Sequence, residues 1–180
     1  MGTEQITFTD AETTFQTVNN KRNPLPFLPE NYLVSLGFLR EDEETYLPFT
    51  HNEFPSEVAA TSMEIAQGVL DKTTLLVAHN MKFDLQWIHA VGLKYDGQIY
   101  CTQIAEFIIA SGVYRPLDLS SCARRYGGKG KLDTVAIEYW DKGVQTDMVP
   151  WEVLKEYGIR DIREMMYVYN SQQEVVRAYF

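Results

Sequence analysis

Asp10 and Glu12, two residues apart in ITFTDAETTF, would project from one side of a strand about 7 Å apart along the backbone. Asp84 in LVAHNMKFDLQW and Asp161 in EYGIRDI add two further carboxylates, and Tyr157 stands one helical turn before Asp161 on the same face. Four acids gathered in one pocket would repel and raise one another's pKa unless cations neutralised them. Hard oxygen ligands of this kind select Mg²⁺ or Mn²⁺. Two such ions, typically about 3.5–4 Å apart, activate a water and stabilise the leaving oxygen of an in-line phosphoryl displacement. The chemistry expected is phosphodiester hydrolysis.

No single motif here is decisive, because the chain carries its own decoys. Asp42 and Glu44 form a second Asp-x-Glu, inside an acidic run that reads as a solvated hairpin turn. Tyr114 and Asp118 repeat the Tyr-x-x-x-Asp spacing, but Pro116 between them breaks the helix that would stack the two side chains. Local context and chain order separate signal from decoy.

The elements that must position the acids are legible as patterns. Ile6 and Phe8 alternate with Thr7 and Thr9, which predicts a strand over 4–10 with one buried face and the two acids at its end. Strands are also expected near 32–40 and 44–49, joined by the REDEE turn, at 74–79, and at 98–102. Helices are expected over 55–71, 80–91, 102–111, 117–126, 133–141 and 150–178, with Asp84 in the early turns of the second. Pro150 suits the first helical position of the last. Three strands followed by alternating helices and strands make an α/β domain over residues 1–180, with a mixed central sheet flanked by helices. The stretch 19–29 fits no element, and 112–116 and 127–132 are the expected mobile, substrate-facing loops.

The Asp-x-Glu strand, the His-Asn-Met-Lys-Phe-Asp segment and the Tyr-x-x-x-Asp helix resemble the three motifs of the DEDD superfamily of 3'-5' exonucleases, tyrosine subtype. The likeness is to the proofreading exonuclease domain of polymerase I-type enzymes, expected here as a stand-alone chain. It implies an RNase H-like fold and two divalent cations: Asp10, Glu12 and Asp161 hold one, and Asp10 bridges to a second associated with Asp84. Tyr157 inherits the role of orienting the attacking water. Residues after Asp-x-Glu hold the terminal nucleotide in that family, which nominates Thr13, Thr14 and Phe15. Asn80 of the second motif and Arg125 of a basic cluster complete the expected substrate contacts. One departure is visible at Cys101-Thr102, where the family often shows Asp-Thr.

Other chemistries are poorly supported. His51, His79 and His89 form no zinc pattern, and a core hydrogen-bonding role is favoured for His79. Cys122, without a histidine partner, reads as core. The GGKGK run lacks phosphate-loop spacing, although with Arg124 and Arg125 it forms the densest basic cluster. Two cysteines are too few for a disulfide framework, and no apolar run approaches a membrane span, so a cytoplasmic setting is the simplest reading. The formal charge of −9 argues against a tight nonspecific grip on duplex DNA, even when two divalent ions bring it to about −5. A chain that holds a few nucleotides at metals, or one tethered to a separate DNA polymerase, fits that balance. The leading expectation is a 3'-5' DNA exonuclease acting on single-stranded or frayed 3' ends and releasing nucleoside 5'-monophosphates. An RNA-trimming exonuclease and a non-catalytic RNase H-like module that binds nucleic acid or a replication protein stand as alternatives.

Overall fold

The first strand, β1 (Ile6–Thr13), is the axis of the molecule. The computed structural model describes residues 5–130 and 134–179. β1 pairs antiparallel with β4 (Leu33–Arg40), which pairs antiparallel with β5 (Glu43–Pro48). On its other side β1 runs parallel to β6 (Leu75–Ala78), and β6 runs parallel to β7 (Gln98–Cys101). The mixed sheet therefore has the order β5-β4-β1-β6-β7. All four residues of β6 are buried, as expected of a parallel strand covered on both faces.

β1 is longer than its alternating pattern suggested. It continues to Thr13, so Asp10 and Glu12 lie inside the strand and not off its end. Nor is only one face buried. Thr7 and Thr9 are fully enclosed, and each hydroxyl has a partner, Thr73 Oγ1 at 2.7 Å and the Gly37 carbonyl at 3.0 Å. Threonine suits such a position because its methyl packs while its hydroxyl is satisfied.

The stretch after β1 forms a small hairpin, β2 (Gln16–Val18) with β3 (Lys21–Asn23). Its two-residue loop, Asn19-Asn20, has positive φ at both positions (52° and 59°), the geometry of a type I′ turn, which asparagine tolerates. That Asn-Asn pair was the signal available in the sequence for part of the unplaced 19–29 stretch.

The helices are α1 (Val58–Leu70), α2 (Met81–Ala90), α3 (Thr102–Ile109), α4 (Leu119–Arg125), α5 (Thr134–Glu138) and α6 (Trp151–Tyr179). The first four and the sixth fall within a few residues of expectation. α5 is shorter than 133–141, because the chain passes into a 3-10 turn at Trp140–Lys142. Residue 133, and residues 131–132 of the expected 127–132 loop, lie outside the described residues. α6 lays a stripe of Leu154, Tyr157, Asp161, Ile162, Met165 and Tyr169 on the sheet, with Phe8 of β1 meeting Tyr169 edge-to-face at 5.5 Å, while Val168 packs against Cys122 and Ala123 of α4. No helix among the described residues is long and apolar enough to cross a membrane.

The decoys have structural roles. Glu44 pairs with Arg163 at 2.5 Å, and Asp118 caps α4 by accepting from the Ser121 amide at 2.9 Å.

Candidate active site

Phe8, Asp10 and Glu12 alternate along β1 on the face that α6 covers. Phe8 anchors that face against Tyr169, and Asp161 lies two turns earlier on the same helix. Carboxylate oxygens of Asp10, Glu12 and Asp161 consequently lie within 4.8 Å of one another. Glu12 and Asp161 are buried and Asp10 is half-buried. Three acids this close, with only oxygen donors, form a group suited to a hard divalent cation.

Asp84 reaches the cluster from the side. β6 pairs with β1 only as far as Val77 and Phe8, so the β1 amides beyond that point need other partners. α2 begins three residues after β6, and its first-turn Asp84 accepts from the Ala11 amide at 3.0 Å. Asp84 is almost wholly enclosed, and burial, followed by the negative charge of Asp10, pushes its carboxyl well above the usual carboxylate range. It stands outside the three-acid group yet feels Asp10, an arrangement that suits a second cation beside the first. A positive charge placed there would relieve both.

Two glycines let α6 come this close. A Cβ at Gly158 would meet Tyr46 Cε2 and its hydroxyl oxygen at 2.5 Å, and one at Gly37 would meet Ile162 Cδ1 at 2.5 Å. Tyr46 fills the space between them, its hydroxyl 2.9 Å from Ser35 Oγ and donating to the Leu154 carbonyl at 3.4 Å. Its phenol is raised well above its ordinary pKa by burial, then by the charges of Glu12, Asp10 and Asp161. No local pattern singles out Tyr46, whose ring lies against both Gly37 of β4 and Gly158 of α6. A bulge in β4 opposite Glu12 and Thr13 inserts Val34, which packs with Leu154 and Tyr157 and so fixes the tyrosine.

A cleft of about 440 Å³ opens beside the acids, lined by Glu12, Thr13, Phe15, Arg22, Phe83, Trp140 and Tyr157 among others. Tyr157 meets Trp140 edge-to-face at 5.5 Å. Arg22 of the β2–β3 hairpin sits 5.7 Å from the Phe15 ring centre and 5.6 Å from that of Trp140, and pairs with Asp141 at 3.2 Å. Arg22, Phe83 and Trp140 were not singled out in the sequence, because nothing local places them beside β1.

The expected substrate contacts divide. Thr13 and Phe15 line the cleft, held there by Thr146 Oγ1 donating to the Thr13 carbonyl at 2.7 Å and by Gln145, which bonds both the Phe15 amide and its carbonyl. Thr14 does not line it. Alternation turns its hydroxyl toward Tyr32, whose amide it accepts at 2.8 Å. Asn80 is exposed and takes the left-handed conformation (φ 65°) that lets the chain reverse between β6 and α2. Arg125 is bound to Glu106 at 2.9 Å and to Cys122 Sγ at 3.1 Å, and is absent from the cleft lining. Cys122 is buried as expected, and His79 bridges Thr102 Oγ1 and the Leu117 carbonyl, each at 2.8 Å.

Solved structures share this fold at low identity. Escherichia coli RNase D, an exoribonuclease involved in structured RNA processing, superposes with a TM-score of 0.64 at 14% identity, covering 97% of this chain and 40% of that one. Brucella melitensis NrnC with bound Mg²⁺ gives 0.55 at 14%, covering 98% and 75%. The POL domain of Pol1 from M. smegmatis, in complex with DNA primer-template and dNTP, gives 0.59 at 11%, covering 99% and 25%. These likenesses establish the RNase H-like exonuclease fold. No curated protein sequence matches the chain. The profile of the 3'-5' exonuclease family matches residues 25–177, which takes in Asp84, Tyr157 and Asp161 and begins downstream of Asp10 and Glu12. The chain belongs to the 3'-5' exonuclease family.

Proposed function

We propose that the chain is a metal-dependent 3'-5' DNA exonuclease that shortens single-stranded or frayed 3' ends to nucleoside 5'-monophosphates. The observation that carries this reading is the convergence of Asp10, Glu12 and Asp161 within 4.8 Å beside a cleft that Tyr157 also lines. Asp10, Glu12 and Asp161 would hold one divalent cation, and Asp84 with Asp10 a second, Mg²⁺ or Mn²⁺ by the hardness of the donors. When bound, two such ions lower the pKa of a water and stabilise the charge on the leaving oxygen.

The residues then divide the work. The Tyr157 hydroxyl orients the attacking water, and Glu12 accepts its proton. Oxygen attacks phosphorus, the bond from phosphorus to the 3' oxygen breaks, and that oxygen leaves as a hydroxyl after protonation from solvent. The phosphate departs on the released nucleotide. Thr13 and Phe15 hold the terminal nucleotide in the cleft, Phe15 by stacking. Thr14, Asn80 and Arg125 have no place in this step.

The acidic surface suits a chain delivered to 3' ends by a separate polymerase, for which it would proofread, and the two unbridged cysteines suit a reducing, cytoplasmic setting. The likeness to RNase D favours a second reading, RNA trimming. A 5'-labelled single-stranded DNA and an RNA of equal sequence, incubated in parallel with Mg²⁺, Mn²⁺ or chelator, separate the two. DNA is expected to shorten faster, one nucleotide at a time. Faster RNA shortening replaces the DNA reading, and no shortening of either overturns both.

A further inference from the structure

α3 turns Thr102 and Glu106 inward, where Gln172 of α6 donates to the Thr102 carbonyl and to the Glu106 carboxylate. The opposite face carries Ile104, Phe107 and Ile108 at i, i+3, i+4 spacing, each about three-fifths exposed (60%, 59% and 63%). Beyond the helix the chain reverses through Ser111 and Gly112, both at positive φ, and the Val113 amide bonds back to the Ala110 carbonyl. This adds Val113 and Tyr114, the latter 97% exposed. Single exposed apolar residues are ordinary, but five within eleven positions are not. Their exposed area is on the order of 700 Å², above the usual largest patch of a monomer and close to the roughly 800 Å² that each partner contributes to a standard interface.

The charge pattern narrows the occupant. Between Ile99 and Tyr114 the sequence holds one charged residue, Glu106, and its carboxylate is buried against Arg125, Arg115, Tyr126 and Gln172. Phosphates or a charged peptide would find no counter-charge on this face. Two copies of the chain, each carrying −9, repel elsewhere and meet here over neutral surface. A short helical row of this kind is also self-complementary: α3 lying against its two-fold mate buries the same three side chains on both sides.

We propose that the Ile104–Phe107–Ile108 face of α3, with Val113 and Tyr114, is the interface of a two-fold homodimer. None of the five residues lines the catalytic cleft, so the dimer leaves both clefts open, and the proposal stands apart from the exonuclease reading.

Sedimentation velocity of the 180-residue chain from about 1 to 200 µM tests it. The expected result is twice the chain mass at the upper end, dissociating on dilution. Phe107→Glu and, separately, Ile104→Gln should each raise the dissociation constant at least about fiftyfold. Circular dichroism at dilutions where every form is monomeric should stay unchanged, since both side chains are exposed in the monomer. Val18→Gln, which removes an exposed apolar residue on the β2–β3 hairpin, should leave the dimer intact. A chain that stays monomeric throughout, or a dimer indifferent to both α3 substitutions, overturns the proposal, including where a different protein proves to cover the face.

Discussion

Tyr46 occupies the space that Gly158 leaves free on α6, so that a ring from an outer strand lies directly against the helix that carries Tyr157 and Asp161. Gly37 closes the other side of that ring. The approach of α6 to β1, and with it the spacing of the acids, depends on this fit.

Gly158→Ala should therefore act on the site without touching a carboxylate. The added Cβ would sit 2.5 Å from Tyr46, with Gly37 and Ile162 behind it, so the helix must move outward. A loss of about 2 kcal/mol in stability and at least tenfold in rate is expected. Tyr46→Phe, which removes one of the clashing atoms, should recover part of both in a double-mutant cycle. Denaturant unfolding and initial rates measure this, and a Gly158→Ala chain with wild-type values would show that α6 does not rest on Tyr46.

Asp84→Asn separates stability from activity. The amide oxygen can still accept from the Ala11 amide, while the buried charge that Asp10 opposes is gone. Without added metal the variant should be more stable than wild type by about 1 kcal/mol, and its rate should fall at least a hundredfold. Melting with and without Mn²⁺ checks it: wild type should gain more from the ion than the variant. An Asp84→Asn chain that is less stable than wild type in chelator would remove the repulsion argument.

Glu106 gives a pH dependence. Burial works to raise its carboxyl, but hydrogen bonds from Tyr126, Gln172 and Arg125, with the Arg125 charge, outweigh it and hold the pKa below the usual 4.5. Because the folded value lies below the unfolded one, the stabilisation is complete above about pH 4.5 and is lost as pH falls through the folded value. Glu106→Gln should cost about 2 kcal/mol at pH 7, discounted for the part-exposed Arg125, and the gap between variant and wild type should narrow as pH falls below about 4.5. Urea midpoints across that range decide it, and a constant gap contradicts the assignment.

Arg22→Ala tests the wall of the cleft. The guanidinium sits between Phe15 and Trp140 and leaves the acids untouched. KM should rise about fivefold or more with little change in kcat, the mark of binding shared by ground and transition states. A fall in kcat at constant KM would place Arg22 in the chemical step instead.

How much of this was legible in the sequence follows from range. Period-two alternation placed Asp10 and Glu12 on one side of β1, and helical spacing put Tyr157 beside Asp161, because both relations are local. The length of β1 was not, since its last residues are held by β4, by Thr146 and by Asp84, far along the chain. The β2–β3 hairpin escaped notice because strands of three residues carry almost no periodicity. Arg125 read as a phosphate ligand because its partner, Glu106, looks like any helical surface acid until α3 is seen to turn it inward. Tyr46 and Arg22 enter the site only through tertiary packing.

The most direct measurement of the central claim is the shortening of 5'-labelled single-stranded DNA in Mg²⁺ or Mn²⁺ by wild type, Asp10→Ala, Asp161→Ala and Tyr157→Phe, each first shown to be folded. Wild type should give a ladder of single-nucleotide steps that chelator abolishes. Both acid variants should lose nearly all activity, and Tyr157→Phe should lose less. Metal-dependent shortening that survives in Asp10→Ala or Asp161→Ala would contradict the assignment of the metal site to Asp10, Glu12 and Asp161.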